Sequence, residues 1–243
     1  MYKNIMTKQL SVLPSYSDYS GGLGLYSIFN IFQDLAGEHA CQIGVGALDL
    51  KKKGMVWVIA KTRLQIVGTL PGITEFFDAE TWPGAHKGIV DPRYYRFSQN
   101  GKPFVLGRTD WVVLEEASQK MVNFDNIFPE DFEFYPDLVC DGKFPRISSD
   151  FGAAQLLGGH KIKSTDVDFV GHMNNVAYIK AIENCLSREQ LNALKIRAID
   201  VQYKHQSFEG QDLKFLYRKT EKGYELGAFS DDQNILLASL ELA

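Results

Sequence analysis

Apolar residues recur at intervals of three and four through Leu25, Ile28, Phe29, Phe32, Leu35 and Ala36. That spacing marks one face of a helix and predicts a helix over about Leu25 to Cys41. A polar, Gly-rich stretch, SDYSGGLGLYS, precedes it, and a loop, QIGVGALDLKKKG, follows. The pattern then changes to β-branched and aromatic runs, MVWVIAKTRLQIV, ITEFFDAETWP and YYRFSQNGKPFVLGRTDWVVLEE, which read as strands. Inside the last run, the Asn-Gly of SQNGKPF supplies the positive φ angles that a two-residue hairpin turn needs.

The same order returns in the second half. GGHKIKSTDVDFVGHMNN leads into a helical stripe at Val176, Ile179, Ile182 and Leu186, followed by the strand-like runs IRAIDVQYKHQSF, DLKFLYRKTEKGYELGAFS and NILLASLELA. A shift of 148 sets Asp18 on Asp166, Ile28 on Val176 and Ile31 on Ile179; farther on, a shift of 137 to 138 sets Leu64-Gln65 on Val201-Gln202 and Gly72 on Gly210. The near-constant offset predicts an internal repeat. Each half is then an α+β unit, one helix with an antiparallel sheet of about four to six strands wrapped around it to hide both apolar faces. The stretch Phe128 to Asp150 carries three of the eight prolines and no clean periodicity, so it reads as the connection. The expected division is an N-terminal domain over 1–130, a linker over 131–155 and a C-terminal domain over 156–243.

Composition narrows the functional classes. A formal net charge of -4, with a pI near 5.8, argues against a general polyanion binder, which gathers basic excess on one face. Nucleic acid is therefore not the expected partner. The three cysteines, Cys41, Cys140 and Cys185, are far apart and odd in number, which suits a reducing cytoplasm and does not suit a zinc site. No apolar core of a signal peptide opens the sequence, and no stretch approaches the roughly 18 apolar residues of a membrane span. The expectation is a soluble cytoplasmic protein that uses no metal and no cofactor.

Candidate chemistry is concentrated in DVDFVGHMNN, residues 166–175. Asp, Asn and Gly serve any turn or helix N-cap, so the composition of the stretch alone is accounted for by chain geometry. The repeat discriminates: at the shift of 148, Asp168 and His172 face Ser20 and Gly24, so only the second half carries an ionisable pair. The pair precedes a helix expected to start near Asn174 or Asn175, whose unpaired N–H groups can hold developing negative charge on an oxygen. A carboxylate can activate water, and a histidine can do acid–base work near neutral pH. These are the parts for attack of water on an acyl carbonyl, and no GxSxG elbow suggests a serine nucleophile.

DVDFVGHMNNVAYIKAIEN, with the upstream helix, the Thr81-Trp82-Pro83 triplet and YKHQSFEGQD, resembles the acyl-acyl-carrier-protein thioesterases of bacteria and plant plastids. The resemblance runs from about Val12 to Leu242, and H-x-N-N-x-x-Y-I is its most specific part. It implies two tandem hotdog domains, each a long helix wrapped by an antiparallel sheet, joined as a pseudo-dimer, so the protein is either a monomeric pseudo-dimer or a homodimer. It also implies hydrolysis of acyl-acyl-carrier-protein to free fatty acid, ending fatty-acid synthesis, with the acyl carrier protein as partner. The family's aspartate and histidine fall on Asp168 and His172. Its usual asparagine falls on Val170, its strand glutamate on Gln206, and the cysteine of plant members on Ser207. A glutamine can position water but cannot act as a base, which leaves Asp168 as the base and His172 to orient it or polarise the carbonyl. Asn174 and Asn175 fall at the helix start that would face the oxyanion. Phe29 and Phe32, in the half without the ionisable pair, are candidates to contact the acyl chain.

Two other readings stay open: an acyl-CoA thioesterase on the same fold, and an acyl-binding protein of weak catalysis, suggested by Val170 and Gln206. His39 reads as a packing or helix C-terminal histidine, Trp82 and Trp111 as sheet and core residues, and Cys185 as an inert thiol. Lys51, Lys52 and Lys53, with Lys61 and Arg63 nearby, read as a solvated face, with an acidic carrier protein as the other possibility.

Overall fold

A computed structural model describes residues 4–86, 88–124 and 127–243. The chain forms two compact units, Met1–Gly142 and Lys143–Ala243. In the first, β1 (Met6–Ser11) leads to helix α1 (Leu25–Ile43) and a short helix α2 (Ala47–Lys52). Strands β2 (Met55–Ile66), β3 (Phe76–Pro83), β4 (Asp91–Gln99), β5 (Lys102–Glu115) and the two-residue β6 (Met121–Val122) follow. The sheet of this unit runs β1-β3-β4-β5-β2, with β6 on β5, and every pairing in it is antiparallel.

The predicted apolar stripe is the buried face of α1. Ile28, Phe29, Phe32, Leu35 and Ala36 are all buried, and the helix runs two residues beyond its expected end, to Ile43, where Gly44 with φ of 83° ends it as a left-handed C-cap. Phe32 stacks on Tyr95 with ring centroids 4.1 Å apart and meets Phe97 edge-on at 5.3 Å. Space for its ring exists because residue 107 is glycine: a Cβ there would sit 2.3 Å from the ring. The Asn100-Gly101 turn between β4 and β5 has φ of 52° and 74°, the two positive angles expected of it.

Strand β4, DPRYYRFSQ, shows no alternation because both of its faces are covered. Arg93, Tyr95 and Phe97 lie toward α1, while Tyr94 and Arg96 lie toward the segment after β6. The Trp82 indole N–H donates to the Asp137 carbonyl (2.8 Å), Arg96 pairs with Asp137 (2.7 Å), and the Tyr94 hydroxyl donates to Asp141 (2.9 Å). Arg63 donates to the Gly142 carbonyl at 2.8 Å. Residues 131–142 therefore pack on the first unit, and Arg63 is spent holding them rather than offered to a partner. Lys51 and Lys52 close the last turn of α2, where cations complement the helix dipole.

The second unit begins with β7 (Gln155–Lys161), a single 3₁₀ turn at Ser164–Asp166, and helix α3 (Asn175–Glu183). Helix α4 (Arg188–Ala193) and strands β8 (Ile196–Tyr203), β9 (Asp212–Thr220), β10 (Gly223–Ser230) and β11 (Gln233–Leu242) complete it, in the sheet order β8-β11-β10-β9-β7. Both units have the helix-and-wrapped-sheet arrangement of a hotdog. The second helix is shorter than its stripe predicts, and Leu186 lies beyond it. Ser187 starts a new helix there, accepting from the Gln190 N–H in a capping box, and so interrupts the first. Strands β1 and β7, and helix α2, were not expected from the pattern. No helix among the described residues is long and apolar enough to cross a membrane.

Candidate active site

The hydrogen bonds around the two helix starts fix how the halves correspond. In the first unit the Asp18 N–H donates to Gly22 O, the Gly21 N–H to Asp18 O and the Gly24 N–H to Tyr16 O. In the second, the Asp168 N–H donates to His172 O, the Gly171 N–H to Asp168 O and the Asn174 N–H to Asp166 O. Gly21 and Gly171 share the left-handed conformation, at φ 83° and 95°. The register is therefore 150 residues, not 148, and Asp18 lies on Asp168 rather than on Asp166. Beyond β2 and β8 the Leu23 N–H donates to Pro71 O as the Met173 N–H does to Ser207 O, and Thr74 and Gly210 share positive φ, so that register is 136. Gly72 thus matches Phe208, not Gly210. The few matched positions of the repeat do not separate two registers that differ by two residues, yet the displacement changes which polar residues face each other.

The corrected register changes the comparison. Both copies have an aspartate at this turn, and in both one carboxylate oxygen caps the backbone two residues on. Asp18 Oδ1 accepts from the Ser20 N–H (2.7 Å), the Ser20 hydroxyl (2.6 Å) and the Gly22 N–H (3.3 Å). Among the described residues, Asp168 Oδ1 accepts only from the Val170 N–H, at 2.9 Å. Its Oδ2 lies 4.0 Å from His172 Nδ1, the position where the first unit has Gly22. One oxygen of the carboxylate thus serves the turn, while the other faces His172. At 4.0 Å the pair is too far apart for a direct hydrogen bond but suited to a shared water. Both side chains are about a quarter exposed, within reach of solvent.

Asn174 is the N-cap of α3, its side-chain oxygen accepting from the Val176 N–H at 2.8 Å, so that oxygen is committed to the helix. Asn175 is the first helical residue, and its carbonyl accepts from the Tyr203 hydroxyl at 3.3 Å. Gln206 is exposed in the connection between β8 and β9. The Met173 N–H to Ser207 O bond, 2.8 Å, lays that connection beside the His172-Met173 backbone. No side-chain bond joins Gln206 to Asp168 or His172 among the described residues. Phe29 and Phe32 belong to the first unit and are enclosed in its core.

Sequence reasoning passed over Tyr178 and noted Ser207 only as the place of the plant members' cysteine. Tyr178, within α3, and Ser207 are both buried, with the phenol oxygen 2.5 Å from Ser207 Oγ. Burial raises the Tyr178 pKa, hydrogen bonds from Ser207 oppose the rise, and the charge of Asp168 adds to it, so the phenol keeps its proton near neutrality. The signal was available in the Tyr of H-x-N-N-x-x-Y-I, but a tyrosine in an apolar helical stripe reads as core. Full burial removes Ser207 from consideration as a nucleophile. Cys185 is a poor one too, because burial raises its pKa and its thiol donates to the Ala181 carbonyl.

His160, on β7, lies 2.7 Å from Asp166. Burial alone would raise the Asp166 pKa, but the Lys163 N–H and His160 outweigh it and hold the carboxyl below its usual range. Asp166 thus stays charged as a brace for the turn.

Residues 3–130 match the acyl-ACP thioesterase N-terminal domain family, and residues 153–235 match the corresponding C-terminal domain family. The chain belongs to the acyl-ACP thioesterase family. It is 23% identical over 202 residues to an oleoyl-acyl carrier protein thioesterase, chloroplastic, of Coriandrum sativum, covering 74% of this chain and 53% of that protein. An oleoyl-acyl carrier protein thioesterase 2, chloroplastic, of Arabidopsis thaliana is 22% identical over 199 residues, again covering 74% and 53%. The chain thus spans about half the length of these curated relatives. Among solved structures, an acyl-ACP thioesterase from Bacteroides thetaiotaomicron superposes with a TM-score of 0.86 at 21% identity, covering 98% of this chain and 97% of that one. The 12:0-ACP thioesterase from Umbellularia californica gives 0.85 at 14% identity, covering 99% and 98%. At these identities the superpositions speak for the fold, which is the hotdog fold in an α+β chain.

Proposed function

We propose that this protein hydrolyses the thioester of acyl-acyl-carrier-protein, releasing free fatty acid and the carrier thiol and ending fatty-acid synthesis. The observation that carries the reading is the Asp168 carboxylate, with one oxygen fixed by the turn and the other facing His172 at the start of α3. Water held between Asp168 Oδ2 and His172 loses its proton to the carboxylate as its oxygen adds to the thioester carbonyl carbon. The negative charge gathers on the carbonyl oxygen, where the N-terminus of α3 at Asn174 and Asn175 would stabilise it. Collapse breaks the C–S bond, and the departing sulfur takes the proton. Gln206, an amide in the neighbouring connection, orients water or carbonyl and exchanges no proton. Three cysteines that form no disulfide among the described residues fit a reducing compartment such as the cytoplasm.

Asp168→Asn is the sharper test than Asp168→Ala, because asparagine keeps the oxygen that caps Val170 and loses only the charge. Thiol release from acyl-carrier-protein should fall at least about a hundredfold, with an unchanged melting temperature, while Asp18→Asn in the other copy should leave turnover intact. Full turnover in Asp168→Asn would refute the assignment. The same chain offered on coenzyme A separates the two thioesterase readings: equal or better kcat/KM on coenzyme A would displace the carrier protein as substrate.

A further inference from the structure

The corrected register isolates a second difference between the copies. Carried across at 150 and 136 residues, Tyr178 stands where the first unit has Ile28, and Ser207 where it has Pro71. Ile28 is fully buried, as Tyr178 and Ser207 are. An apolar pair therefore satisfies this position in one copy, whereas the other copy buries two hydroxyls that must bond each other to offset their desolvation. Packing alone gives no reason for the exchange. Its location does, because it occurs behind the turn that carries His172.

We propose that Tyr178 and Ser207 are a positioning pair for thioester hydrolysis, holding the β8–β9 connection against the Asp168–Met173 turn. Ser207 is gripped from two sides: its carbonyl accepts the Met173 N–H (2.8 Å) and its hydroxyl bonds the Tyr178 phenol (2.5 Å). Its chain neighbour is Gln206, and that of Met173 is His172, so this one residue sets the spacing between the two polar groups that flank the reacting carbonyl. Tyr203 adds a second tie, its hydroxyl donating to the carbonyl of Asn175 in the first turn of α3. Neither Tyr178 nor Ser207 touches substrate; they act through the residues they hold.

The inference rests on the hydrolase reading, and its test keeps the two apart. Tyr178→Phe should lower kcat about tenfold with KM within about twofold, the pattern of misplaced reacting groups rather than lost binding. Ser207→Ala should match it, and the double variant should be no slower than either single one, because both remove the same contact. Ser207→Cys, which keeps a hydrogen-bonding group, should recover most of the rate. Amide exchange at Met173 should quicken in Tyr178→Phe and in Ser207→Ala, a readout that needs no turnover. Wild-type kcat in Tyr178→Phe, or additive losses in the double variant, would overturn the pair. If the unaltered protein released no thiol from any acyl-carrier-protein, the hydrolase reading would fail by itself. Unchanged Met173 exchange in both variants would then reject the positioning pair independently.

Discussion

At the scale of single residues, the two aspartates of the repeat show how a structural group becomes available for chemistry. Asp18 has one oxygen engaged by two backbone N–H groups and a serine hydroxyl, and it faces a glycine. Asp168 loses the hydroxyl because residue 170 is valine, and gains a histidine partner. An aspartate at such a turn is legible from sequence, as is the histidine four residues on. The division of labour between its two oxygens is not, since it depends on where each points. Gln206 supplies the next prediction at this scale. A carboxylate there would add a second base beside the turn, and Gln206→Glu should raise kcat/KM for thioester hydrolysis about tenfold. A rate at or below that of the unaltered protein would mean that the site is organised around the amide.

At the scale of elements, helices were read well where periodicity is long and poorly where side-chain caps intervene. Helix α1 follows its stripe and stops at a glycine, while the stripe of α3 is cut at Ser187 by a capping box that competes with the helix before it. Strands β1 and β7 escaped notice because each lies at an edge of its unit's sheet and is only partly buried, so little alternation marks it. The contact of α1 with its sheet depends on a missing side chain at Gly107, a feature that no periodicity predicts. Gly107→Ala should destabilise the protein by about 2 kcal/mol through overpacking against Phe32. In a thermal melt, Phe32→Leu in the same chain should recover part of the loss; no recovery would show that the strain lies elsewhere.

At the scale of the whole molecule, stability should depend on pH through a carboxyl buried in the first unit. Asp91 is 2% exposed, one of its oxygens has no hydrogen-bond partner among the described residues, and burial pushes its pKa up to about 8 against the pull of Arg93. The folded chain therefore holds this proton more tightly than the unfolded one. Its contribution is fully present below the unfolded pKa near 4 and is lost as pH rises through about 8. Asp91→Asn removes the titrating group, so its stability should gain on that of the unaltered protein between pH 5 and pH 8, by about 4 kcal/mol, read as a relative rise in melting temperature. A constant difference across that range would show that Asp91 does not titrate there.

By itself the sequence determined the order of long helix and following strands in each half, the repeat, the apolar faces and the short segment proposed to hold the chemistry, because these follow from local periodicity and from residue types that turns and helix starts require. It also carried enough of H-x-N-N-x-x-Y-I and its surroundings to point to the acyl-acyl-carrier-protein thioesterases. Only the tertiary structure decided the register of the repeat, since a handful of matched residues does not fix an alignment and the backbone hydrogen bonds of the two turns do. It alone decided that β4 is covered on both faces, that Arg63 braces the chain after β6, and that Tyr178 meets Ser207. Each of these joins residues far apart in the chain, and side-chain direction and burial at such a distance are set by packing rather than by neighbours in sequence.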